Sequence, residues 1–233
     1  MLEGSMDTDG LVHAIAELEP RPRERRWASL SLCILDAVWS LGARYDSVVV
    51  PLVRRVATDC DISTPTVPFA DPIGPDPMPL SAFLDRFDLQ GLLAVTNRQN
   101  TSTVGGIRKA DAVLRHTRVF VDNEIDELQD AHSLMGDGEA FKKVNRELRG
   151  IPGEGTAGIR RGYLWMLIGD GTRIKPDRMV LRWLKHHGCD LDPKSAEVLI
   201  DQLVPAVSEK LNRTVTAWEI DHAIWQAGRK LKP

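Results

Sequence analysis

Apolar residues recur at helical spacing along almost the whole chain. Between Ala28 and Ala43, Leu32, Leu35, Val38 and Trp39 fall on one helix face, so a buried helix is expected there. Asp36 lies inside it and requires a partner or water. Leu11 to Glu19 reads as a short amphipathic piece. Val48, Val49 and Val50 have strand propensity, but Leu52, Val53 and Val56 continue a helical stripe, which favours helix. Further helices are predicted over 80–87, 107–121, 124–135 and 139–148. Asp192 with Pro193 marks the start of a helix over 194–203, and Thr216 with Glu219 forms a capping box ahead of Ile220, Ala223, Ile224 and Ala227. No alternating strand pattern and no fixed-period repeat is visible, so the predicted fold class is all-α.

Breakers and charge modify this outline. Residues 64–79 contain six prolines, which predicts a long loop, ordered or mobile, without regular structure. Met1 to Ser5 precede a second methionine at Met6, and residues 1–10 are set aside as an appended, unfolded tag. Arg21, Arg23, Arg25 and Arg26 read as a solvated basic linker. Cys33, Cys60 and Cys189 form no CxxC pair, which predicts free thiols and no side-chain metal site. With 42% hydrophobic residues, no long apolar run and no secretory pattern, the expectation is a cytoplasmic, monomeric protein without membrane contact. The net charge is −3, yet between Lys142 and Lys185 eleven Lys or Arg stand against four Asp or Glu. Such a region suits a phosphate-seeking surface, or equally a solvated helical face.

The most informative segment runs from Leu148 to Leu184. A helix end is followed by Ile151, Pro152, Gly153, Glu154 and Gly155, and then by a new helix. Two glycines one residue apart allow a tight turn whose amides point outward at a helix start, a place suited to phosphate. Arg160 and Arg161 lie in the first turns beyond it. Farther on comes the run Lys175-Pro176-Asp177-Arg178-Met179-Val180-Leu181-Arg182.

These two stretches resemble the helix-hairpin-helix (HhH-GPD) DNA glycosylase superfamily, which includes endonuclease III and 3-methyladenine glycosylase II. Ile151, Pro152, Gly153 and Gly155 match its hairpin, and Asp177 falls on its catalytic aspartate. Residues 37–44 and 107–114 resemble the helix bearing its DNA-probing residue and its "KA" helix. The resemblance implies a two-lobed helical fold: a helical barrel lobe over 28–169, a second lobe of 11–27 with 170–233, and an active cleft between them. It implies double-stranded DNA as partner, base-excision repair as role, nucleoid association, and DNA contacts from Gly153, Gly155, Thr156, Arg160, Arg161 and Arg44. It implies no cofactor beyond a monovalent cation at the hairpin backbone.

The chain departs from the family at four places. Ala157 stands where bifunctional members carry the lysine nucleophile, so no lysine-dependent lyase step is expected. Cys189 alone stands where iron-sulfur members have four cysteines. Gly42 occupies the probing position, leaving Arg44 or Tyr45 as wedge. Glu154 replaces an apolar hairpin residue and would set negative charge beside a phosphate site.

A glycosylase transition state places positive charge on the sugar, and a carboxylate at Asp177 would stabilise it and orient water. The target base must be flipped into a pocket, for which Trp39, Tyr45 and Trp165 are candidates; core packing is the alternative for each. Asp177 also reads as a plain helix N-cap, and the two roles are compatible. Asp221 and His222 are adjacent but diverge on a helix, which argues against a catalytic dyad. The overall expectation is a monofunctional DNA glycosylase, with a non-catalytic DNA-binding protein or a helical protein-interaction module as alternatives.

Overall fold

The computed structural model describes residues 8–155 and 158–231, and these are mostly helical. The described chain runs α1 (Thr8–Glu17), β1 (Arg25–Trp27), α2 (Leu30–Ser40), a π-helical turn (Tyr45–Val49), α3 (Val50–Asp59) and β2 (Thr66–Pro68). It continues through α4 (Leu80–Arg86), α5 (Leu89–Val95), α6 (Lys109–Val121), α7 (Leu128–Leu134), α8 (Gly138–Arg149) and α9 (Ile159–Ile168). It closes with α10 (Arg178–His186), α11 (Pro193–Lys210) and α12 (Ala217–Lys230). Two compact units result: a central unit of residues 24–169, and a terminal unit of residues 1–23 with 170–233. Among the described residues no helix is long and apolar enough to cross a membrane.

In the central unit, α2 is buried from Leu30 to Trp39, which is why its sequence is apolar nearly all round. Ser29 caps its start, accepting the Ser31 amide at 3.2 Å. The buried Lys109, at the start of α6, caps its end: Nζ donates to the carbonyls of Trp39 (3.0 Å) and Leu41 (2.7 Å). A cation there complements the negative end of the helix dipole. Asp36 finds its partners in the Trp27 indole (2.7 Å) and the Tyr45 hydroxyl (2.8 Å), both donating to Oδ2.

Residues 64–79 form an ordered loop, but not one wholly without regular structure as six prolines suggested. Thr66–Pro68 pairs antiparallel with Arg25–Trp27, so a small sheet exists where none was expected. Both strands are edges, which tolerates Pro68. Arg26 is buried, not a solvated linker residue, and its guanidinium donates to the carbonyls of Phe69 (2.8 Å), Asp71 (2.9 Å) and Pro72 (2.8 Å). Proline-rich backbone has surplus acceptors, and Arg26 supplies the donors. Buried Asp76 accepts the amides of Leu30 (2.8 Å) and Leu128 (3.0 Å), the first residues of α2 and α7, and so caps two helices at once.

The terminal unit packs Leu11 and Ile15 of α1 with Val180 and Trp183 of α10, Ile200 and Leu203 of α11, and Ile220 and Ile224 of α12. α1 begins at Thr8, so residues 8–10, set aside with the tag, are helical. Asp192 caps α11, accepting from Lys194 N (2.9 Å) and Ser195 N (3.1 Å), and the helix runs on through Pro205 to Lys210. At Gly228 of α12 a Cβ would come within 2.2 Å of the Met179 carbonyl oxygen, so the glycine lets α12 touch the α10 backbone.

Candidate functional site

In the central unit, α8 and α9 are joined by a turn in which Gly153 (φ +83°) and Gly155 (φ +78°) both adopt the left-handed conformation. The turn is braced from the chain ahead of α6. Thr101 Oγ1 donates to the Pro152 carbonyl (3.2 Å), and a Cβ on Gly153 would lie 1.9 Å from that Oγ1. Gly153 is required by both conformation and space. Gly155 is exposed, with open space where a Cβ would be. Thr156, one of the expected DNA contacts, lies outside the described residues.

The charges around this turn point inward. Glu154 is 4% exposed and does not set negative charge on the outer surface as expected. It sits 3.7 Å from Arg160 Nη1 and 4.0 Å from His116 Nε2, too far for hydrogen bonds, and neither carboxyl oxygen has one among the described residues. Burial pushes its carboxyl up to about 7, against the opposing pull of Arg160 and Arg161. Burial pushes His116 down to about 4, an effect to which Arg160 and Arg161 add and which the bond to the Ala112 carbonyl opposes. Glu154 thus fills the interior place an apolar hairpin residue would take, at the cost of a desolvated ionisable group.

Arg160 is also buried, donating to the Gly153 carbonyl at 2.7 Å, and so does not reach outward as a phosphate contact. Arg161 is half-buried, with its guanidinium against Gly158. The exposed positive charge is carried instead by Lys142, Arg146 and Arg149 on one face of α8, with Lys143 beside them. Of these, Lys142 is paired to Glu139 at 2.8 Å.

The aromatic residues expected in a pocket are distributed differently. Trp39 and Trp165 are fully buried, with indole N–H groups donating to Asn97 (3.0 Å) and Asn145 (3.2 Å). Trp165 packs edge-on to Phe120 and tilted against Phe141. Both tryptophans are core, because each indole has a side-chain acceptor and no free face. Tyr45 is half-buried with its hydroxyl on Asp36, whereas Arg44 is exposed at the start of the π-helical turn. Gly42 has φ +72° and open space around it. A shallow depression of about 470 Å³ lined by Pro51, Arg54, Arg55, Thr58, Asp59 and Val95 contains none of the expected pocket residues.

In the terminal unit, Asp177 caps α10. Its Oδ1 accepts the amides of Met179 (2.7 Å) and Val180 (3.4 Å), and the residue is half-exposed. The strap before it turns tightly, the Asp177 amide donating to the Lys175 carbonyl at 2.6 Å. Asp221 of α12 is buried and accepts the Lys175 amide at 2.8 Å. Burial pushes its carboxyl up to about 8; the charge of Asp177 adds to the push, and the Lys175 amide and ammonium oppose it. His222 turns away from Asp221 and stacks between Trp218 (4.9 Å) and Trp225 (6.0 Å), with Arg23 over Trp218 and Arg229 over Trp225. The spacing of residues 218, 222 and 225 carried that stack in the sequence. The link between Asp221 and Lys175 spans 46 residues and left no local signal.

Among the described residues no cluster of three or more His, Cys, Asp or Glu side chains is arranged to hold a metal ion. The chain matches no curated protein and no solved structure. A family model does match, over residues 9–229, and the chain therefore belongs to the family described as Domain of unknown function (DUF8548).

Proposed function

We propose that this protein is a monofunctional DNA N-glycosylase of the helix-hairpin-helix type, which hydrolyses the bond between a flipped base and its deoxyribose. The observation that carries the reading is Asp177: a half-exposed carboxylate at a helix N-cap, with Oδ1 engaged by the Met179 and Val180 amides. It follows, after one helix, a turn in which Gly153 and Gly155 both take left-handed backbone. Held in this way, a carboxylate can stabilise positive charge developing on a sugar and orient a water toward it. A glycine turn with Gly155 exposed suits a backbone phosphate, and the basic face of α8 adds Coulomb attraction without reading sequence. With Ala157 at the family's lysine position, the product is an abasic site and the strand is not cut by a Schiff-base step.

The test is single-turnover release of base from a panel of lesion-bearing duplexes, scored as abasic sites. Asp177→Asn is expected to lower the rate by at least about 100-fold while duplex affinity stays within about threefold. Equal rates for mutant and parent overturn the assignment. A second reading, a DNA-binding protein without chemistry, is favoured by the burial of Trp39 and Trp165, which leaves neither free to stack on an extruded base. It predicts salt-dependent duplex binding with no abasic product from any lesion.

A further inference from the structure

Three ionisable groups meet at the strap before α10, and one of them comes from a distant helix. Asp221 shares a face of α12 with Ile224 and Gly228, spaced at one and two helical turns. That face packs on α10, where Gly228 allows backbone contact at the Met179 carbonyl. Asp221 Oδ1 holds the Lys175 amide at 2.8 Å, and the Lys175 carbonyl in turn receives the Asp177 amide at 2.6 Å. α12 therefore grips the chain two residues before Asp177 and two residues after it. An apolar side chain at position 221 would bury more cheaply, but it would leave the Lys175 amide without its acceptor.

We infer that Asp221 is a positioning residue for Asp177: by fixing the Lys175 amide it sets the turn that aims the Asp177 carboxylate. This inference rests on the glycosylase reading. Burial holds Asp221 protonated up to about pH 8, so at neutral pH Asp177 has no second negative charge beside it. Above that pH Asp221 ionises and two carboxylates crowd the strap. Among the described residues the charged groups acting on Asp221 are Asp177 and Lys175. The parent enzyme should accordingly lose kcat on an alkaline limb centred near pH 8.

The experiment compares the parent, Asp221→Asn and Asp221→Leu over about pH 5.5 to 9.5, reading kcat and KM, with 13C NMR of the Asp177 carboxyl in parent and Asp221→Asn. Asn keeps the acceptor and cannot ionise. Asp221→Asn is therefore expected to hold kcat within about threefold at neutral pH and to lose the alkaline limb. Asp221→Leu removes the acceptor and should drop kcat by roughly 30-fold with KM within about threefold, a split that a general loss of fold does not give. The Asp177 resonance should report Asp221 through an inflection near pH 8 in the parent that is absent in Asp221→Asn. An alkaline limb that survives in Asp221→Asn, or an unchanged kcat in Asp221→Leu, overturns the inference. A parent without base release overturns the glycosylase reading instead, and the NMR inflection then decides the coupling: its presence supports the positioning role and its absence overturns it.

Discussion

The turn between α8 and α9 and the strap before α10 each bury a carboxylic acid, yet the two acids are held by different means. Glu154 faces Arg160 at 3.7 Å and His116 at 4.0 Å with no hydrogen bond to either oxygen among the described residues. Asp221 accepts a backbone amide at 2.8 Å and stands close to a second acid. The first arrangement is electrostatic filling of an interior; the second fixes a specific backbone atom. A buried group with a directed bond can transmit position, whereas one with only diffuse attraction transmits mainly charge.

The largest effect that sharpens this contrast is expected at the glycine turn. Gly153→Ala forces a Cβ to 1.9 Å from Thr101 Oγ1 at φ +83°, and should lower stability by at least about 3 kcal/mol in urea denaturation. Gly155→Ala, in open space, should cost about 1 kcal/mol from its φ alone. Equal losses would show that Thr101 yields and that the turn is not braced.

Next comes the pH dependence of stability. Glu154 and Asp221 both have native values raised above those of the unfolded chain, so unfolding releases a proton. The stability each contributes is complete below its unfolded value and is lost as pH rises to about 7 for Glu154 and about 8 for Asp221. His116 works in the opposite sense, losing stability as pH falls from 6.5 toward 4, so each effect is read as variant minus parent. Asp221→Asn should gain steadily on the parent as pH rises from acid to pH 8, and Glu154→Gln should show a smaller gain complete by pH 7. Variants with flat differences across pH would mean that neither acid is held neutral.

The smallest effect concerns the outer charge. On the proposed DNA-binding reading, Arg146→Ala with Arg149→Ala should weaken duplex binding about tenfold and reduce the salt slope by about two, measured by fluorescence anisotropy at several salt concentrations. Arg160→Met should leave that slope unchanged, because its guanidinium is committed to Gly153 inside the protein. A slope that falls with Arg160 would return this residue to the binding surface.

Helix periodicity, caps and the paired glycines were readable because each depends on neighbours a few residues away. Asp192-Pro193 and Thr216 open their helices where the local pattern places them. The short helix α5 went unread, having only seven residues and a single buried leucine. Direction of burial was less legible. Arg160 and Glu154 look like surface residues by type, and only their tertiary neighbours His116 and Thr101 turn them inward. Trp39 and Trp165 have the composition of a base pocket, but Asn97 and Asn145 satisfy their indoles within the core. At the candidate site, the helix-cap position of Asp177 could be read from its local sequence. Asp221 could not, because it reaches the strap from another helix.

Asp76 gives the proline-rich segment a consequence beyond its own conformation. One carboxylate fastens the first turns of α2 and α7, helices nearly one hundred positions apart along the chain. A protease nick or an insertion between Asp71 and Met78 would therefore act like a lesion in the interior, unlatching two helices together. Ordering of this segment also has to accompany capping of the helices on either side, so it belongs to the cooperative body of the unit and not to its periphery.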